Sequence, residues 1–306
     1  MNWQDIARET KINSQYLYPE KIPSSIKSRF TKSDALKRQF EFSPQELEVP
    51  GGNPDPIGDE LKSQGGGIIH RYQNRILFTP TQACPINCRY CFRKNELNQG
   101  HKFLSPSLKR LKKYLSEHPE VDEVILTGGD PLILSDSKIK EILDTCLQSH
   151  IKYVRFHTRT PIAIPERLDQ SFLELIRNYE SKFKRIFFVL HTNHVDELTQ
   201  PVLNKIKNLQ NFNISLLTQT VLLKDVNDQP QALKELFELL VETGFTPYYL
   251  HHPDKVKGAM HFYLSEEEGM QIYKELRKIC SGWAIPHYIV DSPHAYGKKL
   301  VINQLI

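Results

Sequence analysis

From Arg75 onward the chain repeats one unit, a short apolar run followed by a stretch of helical period. The runs fall at 76–79, 123–127, 153–157, 185–190, 214–218, 247–251 and 287–290, with amphipathic stretches at 137–148, 165–179, 231–243 and 265–279 between them. Short apolar runs of this kind suit strands covered on both faces, and a recurrence of roughly 30 residues is the length of a strand-helix unit. The pattern predicts an α/β fold whose parallel sheet is closed or nearly closed into a barrel, with its chemistry at the C-terminal ends of the strands. Residues 1–65 read differently. Pro19, Pro23, Pro44, Pro50, Pro54 and Pro56 interrupt short amphipathic stretches, and Gly65-Gly66-Gly67 closes the segment. A mostly helical N-terminal extension is expected there, wrapped on the body by Trp3, Phe30 and Phe40, with the barrel and a C-terminal segment filling 66–306.

Composition narrows the class. A hydrophobic share of 39% over 306 residues can fill a sizeable core, and a net charge of +4 is too small to imply nucleic acid or an anionic membrane. The basic run Lys109-Arg110-Leu111-Lys112-Lys113 reads as a solvated helix face. No apolar run approaches the ~20 residues of a membrane span, and the start lacks a signal-peptide pattern, so a soluble, cytoplasmic protein is expected. Five cysteines, three of them within eight positions, argue against a disulfide framework and for metal or redox chemistry in a reducing compartment.

Those three are Cys84, Cys88 and Cys91, spaced C-x3-C-x2-C in the loop after the first barrel strand. Three thiolates supplied to a four-iron cluster leave one iron open to a ligand. Structural zinc wants four ligands, usually in two pairs, and only His101 stands near as a fourth. Cys146 lies within a helical pattern and Cys280 at a helix end, so both are expected to be packed thiols.

The spacing, with Tyr90 just before the third cysteine, resembles the radical S-adenosylmethionine (SAM) superfamily. That resemblance implies a partial (β/α)6 barrel, a [4Fe-4S] cluster on the three cysteines, and SAM bound by the open iron. Thr127-Gly128-Gly129-Asp130-Pro131 is similar to the motif that holds the SAM amino group, since glycines let backbone approach a ligand and Asp130 could accept from an ammonium. Further stretches extend the likeness over about 55–300 to the lysine 2,3-aminomutase family, which adds pyridoxal phosphate (PLP). They include His70-Arg71-Tyr72 with Arg75, Cys91-Phe92-Arg93, Thr158-Arg159-Thr160-Pro161, His191-Thr192-Asn193-His194, the stretch from Gln219 to Asp228, and that from Tyr248 through Asp254 to Phe262.

The resemblance implies roles residue by residue. Lys298 would be the Schiff-base lysine of PLP, with Lys299 the alternative because His294, Ala295 and Tyr296 stand where the family has glycines. Arg71, Tyr72 and Arg75 would hold the phosphate and ring, and His191 and Gln219 would be further cofactor contacts. Arg93 would pair with the α-carboxylate of an amino acid, a task suited to a guanidinium fork. Asp254 and Asp291 would receive the far ammonium of L-lysine, and two carboxylates there would reject glutamate. The reaction implied is 2,3-amino migration to β-lysine, powered by a reductant such as flavodoxin or ferredoxin, in a monomer or an oligomer. Two alternatives stay open. The elongation factor P branch, with similarly short chains, makes (R)-β-lysine for a translation factor, and a radical SAM enzyme modifying RNA or protein would need no PLP.

Overall fold

The computed structural model describes residues 2–9, 12–13, 18–99, 102–293 and 297–301. Its main sheet runs in chain order through β1 (Ser63–Gly65), β2 (Ile68–Tyr72), β3 (Arg75–Thr81), β4 (Glu123–Gly128), β5 (Tyr153–Thr158), β6 (Arg185–His191), β7 (Ser215–Val221), β8 (Thr246–His251), β9 (His287–Ser292) and β10 (Gly297–Leu300). Strands β3 to β9 are parallel, while β1 and β2 form an antiparallel margin on one edge and β10 on the other. Parallel neighbours need crossovers, supplied by α1 (Leu108–Glu117), α2 (Asp136–Leu147), α3 (Gln170–Tyr179), α4 (Gln200–Lys207), α5 (Pro230–Glu242) and α6 (Glu266–Ile279). The parallel body is therefore six strand-helix units followed by a last strand, β9.

Local chemistry explains these elements. Ser107, Ser135, Asp169 and Ser265 cap α1, α2, α3 and α6 by accepting a first-turn N–H, which stabilises each helix by ~1 kcal/mol. Apolar residues recur at three- and four-residue spacing, as in Leu233, Leu236, Phe237 and Leu240 of α5, and bury that stripe on the sheet. Along β5, Val154 and Phe156 enter the same core, whereas the alternate residues Arg155 and His157 face inward to a cavity. Cys146 and Cys280 are buried in the core between sheet and helices.

The sheet does not close, since β1 and β10 are not paired with one another. Side chains span the gap. Arg71 Nη1 donates to Ser292 O at 3.1 Å, and the Lys298 amide donates to the Tyr72 hydroxyl at 2.8 Å. Gly297, at φ +89°, permits that approach, because a Cβ there would sit 2.0 Å from the Tyr72 hydroxyl oxygen.

The N-terminal segment carries the helices Trp3–Glu9, Ser24–Lys27, Asp34–Phe40 and Gln45–Glu48 and a short antiparallel pair, Ile12–Asn13 with Glu20–Lys21. Trp3, Phe30, Leu36 and Phe40 share a core with Ile86, beside the cysteines, and Ile164, beyond β5. β1, at the end of this segment, already belongs to the main sheet. Among the described residues no helix is long and apolar enough to cross a membrane.

Candidate active site

The interior of the open barrel encloses a cavity of about 370 Å3. Cys84, Cys88 and Cys91 stand on its wall, half-buried and free of disulfides, in the loop after β3. Burial raises the pKa of all three thiols, that of Cys91 to about 12; Asp130 and the other two cysteines add to the rise at Cys84 and Cys88 adds to it at Cys91, while Arg159 opposes it at Cys88. Thiols so placed keep their protons until a metal replaces them. Among the described residues no three His, Cys, Asp or Glu side chains converge on a single ion. In a four-iron cluster each thiolate takes its own iron, so three thiols on one wall leave the fourth iron open to a ligand. His101 lies outside the described residues.

The loop is tied down by buried charge. Arg89 donates to both oxygens of Glu46 at 2.7 and 2.6 Å, and Lys94 Nζ reaches Glu46 at 2.9 Å and Gly258 O at 2.7 Å. Lys21 Nζ donates to Cys84 O at 2.7 Å. Arg159, at the end of β5, aims Nη1 at Cys88 Sγ at 3.2 Å while Nη2 holds Glu197 at 2.6 Å and Gln39 at 2.8 Å.

Gly128 and Gly129 line the cavity at the end of β4. Gly128 adopts φ +103°, and a Cβ on it would overlap Thr79. Asp130 lies beside them, yet its carboxylate is already committed. Oδ1 accepts from Leu132 N and Thr158 Oγ1 at 3.0 and 2.7 Å, and Oδ2 from Arg159 N and Thr160 N at 2.6 and 2.8 Å. Burial raises its pKa while these four donors oppose the rise. The expectation that Asp130 takes an ammonium must therefore share the residue with a role as clamp between the loops after β4 and β5. His191 Nδ1 lies 3.2 Å from Gln219 O and Nε2 lies 2.7 Å from the Tyr90 hydroxyl, so the ring donates through Nδ1 and accepts at Nε2. Burial, with Arg159 nearby, keeps it neutral.

At the other side of the cavity stand Arg71, Tyr72, Arg75 and Lys298. Arg75 lies over the Tyr72 ring, 3.7 Å from its centroid. Lys298 Nζ is 2.6 Å from Asp291 Oδ2, and His251 Nδ1 is 3.4 Å from the same oxygen. Burial acts to raise the Asp291 pKa, but the His251 and Lys298 contacts hold it well below the usual carboxylate range. Asp254 is pushed up to about 7, by burial first and by Asp291 second. The two carboxylates thus sense each other across the cavity, one ionised and one half-protonated near neutral pH. Arg93 is buried at the wall with Nη2 2.5 Å from Asp59 and Nη1 3.0 Å from Glu96, and Lys299, by contrast, is exposed. His294, Ala295 and Tyr296 lie outside the described residues.

A family model described as the Radical SAM superfamily matches residues 78–253. The chain is 36% identical over 286 residues to the L-lysine 2,3-aminomutase of Haemophilus influenzae, covering 91% of this chain and 83% of that one. It is 38% identical over 283 residues to the L-lysine 2,3-aminomutase of Escherichia coli, covering 90% and 80%. The chain belongs to the lysine 2,3-aminomutase family of the radical SAM superfamily. A solved structure, Streptococcus suis SuiB bound to precursor peptide SuiA, shares the fold alone, with a TM-score of 0.51 and 15% identity over 69% of this chain and 47% of that one.

Membership in this aminomutase family makes the chain an enzyme of isomerase type that uses a [4Fe-4S] cluster and SAM, and the family is PLP-dependent. The residues present fit those groups. Three thiols with no fourth beside them suit the cluster, a lysine amine beside three cationic or hydroxylic side chains suits PLP, and a glycine turn borders both. Apart from the alternatives Lys299 and His101, the residues singled out for the site in the sequence line this one cavity. Several that the sequence reading did not single out line it too, notably Asp59, Arg155, His157 and Arg159. For His157 and Arg159 the position at the end of β5 was a usable signal, and for Arg155 the alternation along that strand. Asp59 precedes the barrel and gave none.

Proposed function

We propose that this chain is a lysine 2,3-aminomutase that moves the α-amino group of L-lysine to C3, giving β-lysine. The observation that carries the reading is the meeting, in one cavity, of the thiol trio, Lys298 and the carboxylate pair Asp254 and Asp291. The cluster would sit on Cys84, Cys88 and Cys91, SAM against Gly128, Gly129 and Asp130 with His191 and Gln219 nearby, and PLP on Lys298 with Arg71, Tyr72 and Arg75. When bound, the cluster and SAM supply a hydrogen-abstracting radical, and PLP supplies a π-system that stabilises the unpaired electron beside it.

The chain's own residues bind and orient. Arg93 takes the α-carboxylate, and its buried Nε has no hydrogen-bond partner among the described residues. Asp291 accepts from the Lys298 ammonium at 2.6 Å, so its carboxylate is already placed to receive an ammonium inside the cavity. Asp254 ionises as the second ligand of that ammonium. A glutamate side chain would instead place a third carboxylate beside these two. Substrate and product are isomers, so beyond one priming electron from a flavodoxin- or ferredoxin-type carrier the protein has to position reactants and exclude water. We also assign residues 1–65 to an extension that completes the site rather than to a separable domain.

The test is anaerobic reconstitution with iron, sulfide, SAM and PLP, then incubation with L-lysine, L-glutamate and L-arginine. β-Lysine alone is expected, and product from glutamate instead of lysine would overturn the carboxylate assignment. Lys298→Ala should abolish the absorbance of lysine-bound PLP; if that absorbance survives, the anchor is Lys299.

A further inference from the structure

Asp59 is fully buried and lies between the two arginines assigned to different ligands. Its Oδ1 accepts from Arg71 Nη2 at 2.9 Å and its Oδ2 from Arg93 Nη2 at 2.5 Å. Those arginines come from separate elements, β2 and the loop beyond Cys91, and among the described residues Asp59 alone accepts hydrogen bonds from both guanidinium groups. The segment around Asp59 is itself anchored. The Asp59 amide donates to Asp55 Oδ1 at 2.9 Å, Ile57 O accepts from Arg71 Nη2 at 2.6 Å, and a Cβ on Gly58 would lie 3.1 Å from Pro293, in the turn that leads toward Lys298. One short stretch ahead of the barrel thus meets the candidate phosphate arginine, the candidate carboxylate arginine and the approach to the candidate PLP lysine.

We infer that Asp59 is a positioning residue that sets Arg71 and Arg93 in mutual register, so that PLP and the α-carboxylate of the amino acid are held at a fixed separation. This rests on the functional reading above and deepens it. A guanidinium presents donors in a rigid fork, so securing one Nη of each group through a shared carboxylate fixes the direction of the remaining donors. For Arg93 those include Nε, which is buried at the cavity wall without a hydrogen-bond partner among the described residues. Glu96 takes Nη1 of the same group at 3.0 Å from three residues along the chain, whereas Asp59 ties that group to Arg71 on β2. Turning Asp59 into an amide would face one arginine with an N–H donor and release it. Both ligands should then bind less well, although Asp59 touches neither.

The experiment compares wild type and Asp59→Asn, each reconstituted anaerobically with iron and sulfide. It measures PLP affinity by absorbance titration, KM and kcat for L-lysine, reductive SAM cleavage without lysine, and thermal midpoint. Expected for Asp59→Asn are a PLP dissociation constant and a lysine KM that both rise, on the order of 10- to 100-fold, with SAM cleavage retained. A variant that loses only thermal stability, or raises one constant and not the other, overturns the inference. Should Asp59→Asn not fold, Asp59→Glu keeps the charge but moves it by one methylene, and both constants must rise there too; wild-type values would overturn the inference. If wild type itself fails to rearrange lysine, the functional reading falls and takes this one with it, whereas an active wild type matched by Asp59→Asn sinks this one alone.

Discussion

Asp254 and Asp291 show how two chemically identical side chains acquire different states from their neighbours. Asp291 has Lys298 and His251 beside it and is ionised, while Asp254 has burial and Asp291 beside it and titrates at about 7. The sign of the consequence follows directly. An ammonium prefers the ionised form of Asp254, so below about pH 7 binding must first expel a proton, and KM for lysine should rise toward tenfold per pH unit as pH falls. Measured between pH 6 and 8, wild type should show this slope and Asp254→Asn should show a high, flat KM. Equal slopes in the two proteins would remove Asp254 from the ammonium site. Residue identity also separates Lys298 from its neighbour. β10 alternates faces, so Lys298 points to the cavity and Lys299 to solvent, a distinction that a Lys-Lys pair does not carry by itself.

Among elements, the loop holding the three cysteines has little regular structure of its own, and its shape comes from what grips it. Glu46, from the helix Gln45–Glu48, accepts from Arg89 and Lys94 on either side of Cys91, and all three side chains are buried. Removing one charge of such a group leaves the others uncompensated, which costs about 3–5 kcal/mol. Glu46→Gln should therefore lower unfolding free energy by that order in urea and reduce iron retained per chain after desalting. Full iron retention at wild-type stability would show that the loop holds its shape without the extension. Strand β5 carries a comparable load in another way. Its outward side packs Val154 and Phe156 into the core, and its inward side and end present Arg155, His157 and Arg159, so one seven-residue stretch joins fold and site.

For the whole molecule, the N-terminal segment packs on the open barrel through a shared core. Phe40 packs with Ile86 and Ile164 and lies beneath the Arg159 guanidinium, 4.6 Å from its ring centroid, and so links the extension to the cysteine loop and to the residues after β5. Phe40→Ala should cost about 3–5 kcal/mol of unfolding free energy in urea. A loss under about 1 kcal/mol would mean that the extension is an appendage. Only the assembled sheet brings its two margins together. Arg71 and Tyr72 on β2 reach Ser292 and Lys298 across more than two hundred residues of sequence, and the cavity between them is what the sheet's curvature encloses.

Resemblance to the family supplied most of the residues expected at the cavity; the amino-acid sequence alone determined the strand-helix alternation and the spacing of the three cysteines. Each of these depends on local periodicity or on short fixed intervals, and strand positions from 76 to 290 were legible to within a few residues for that reason. The tertiary structure decided the rest. It left the barrel open with a lysine amide bridging the gap, set Asp130 among four donors, turned Lys298 and not Lys299 to the cavity, and brought Asp59 between Arg71 and Arg93. Those outcomes depend on which distant groups share a buried volume, and a side chain's charge state and partners are set by that volume rather than by its neighbours along the chain.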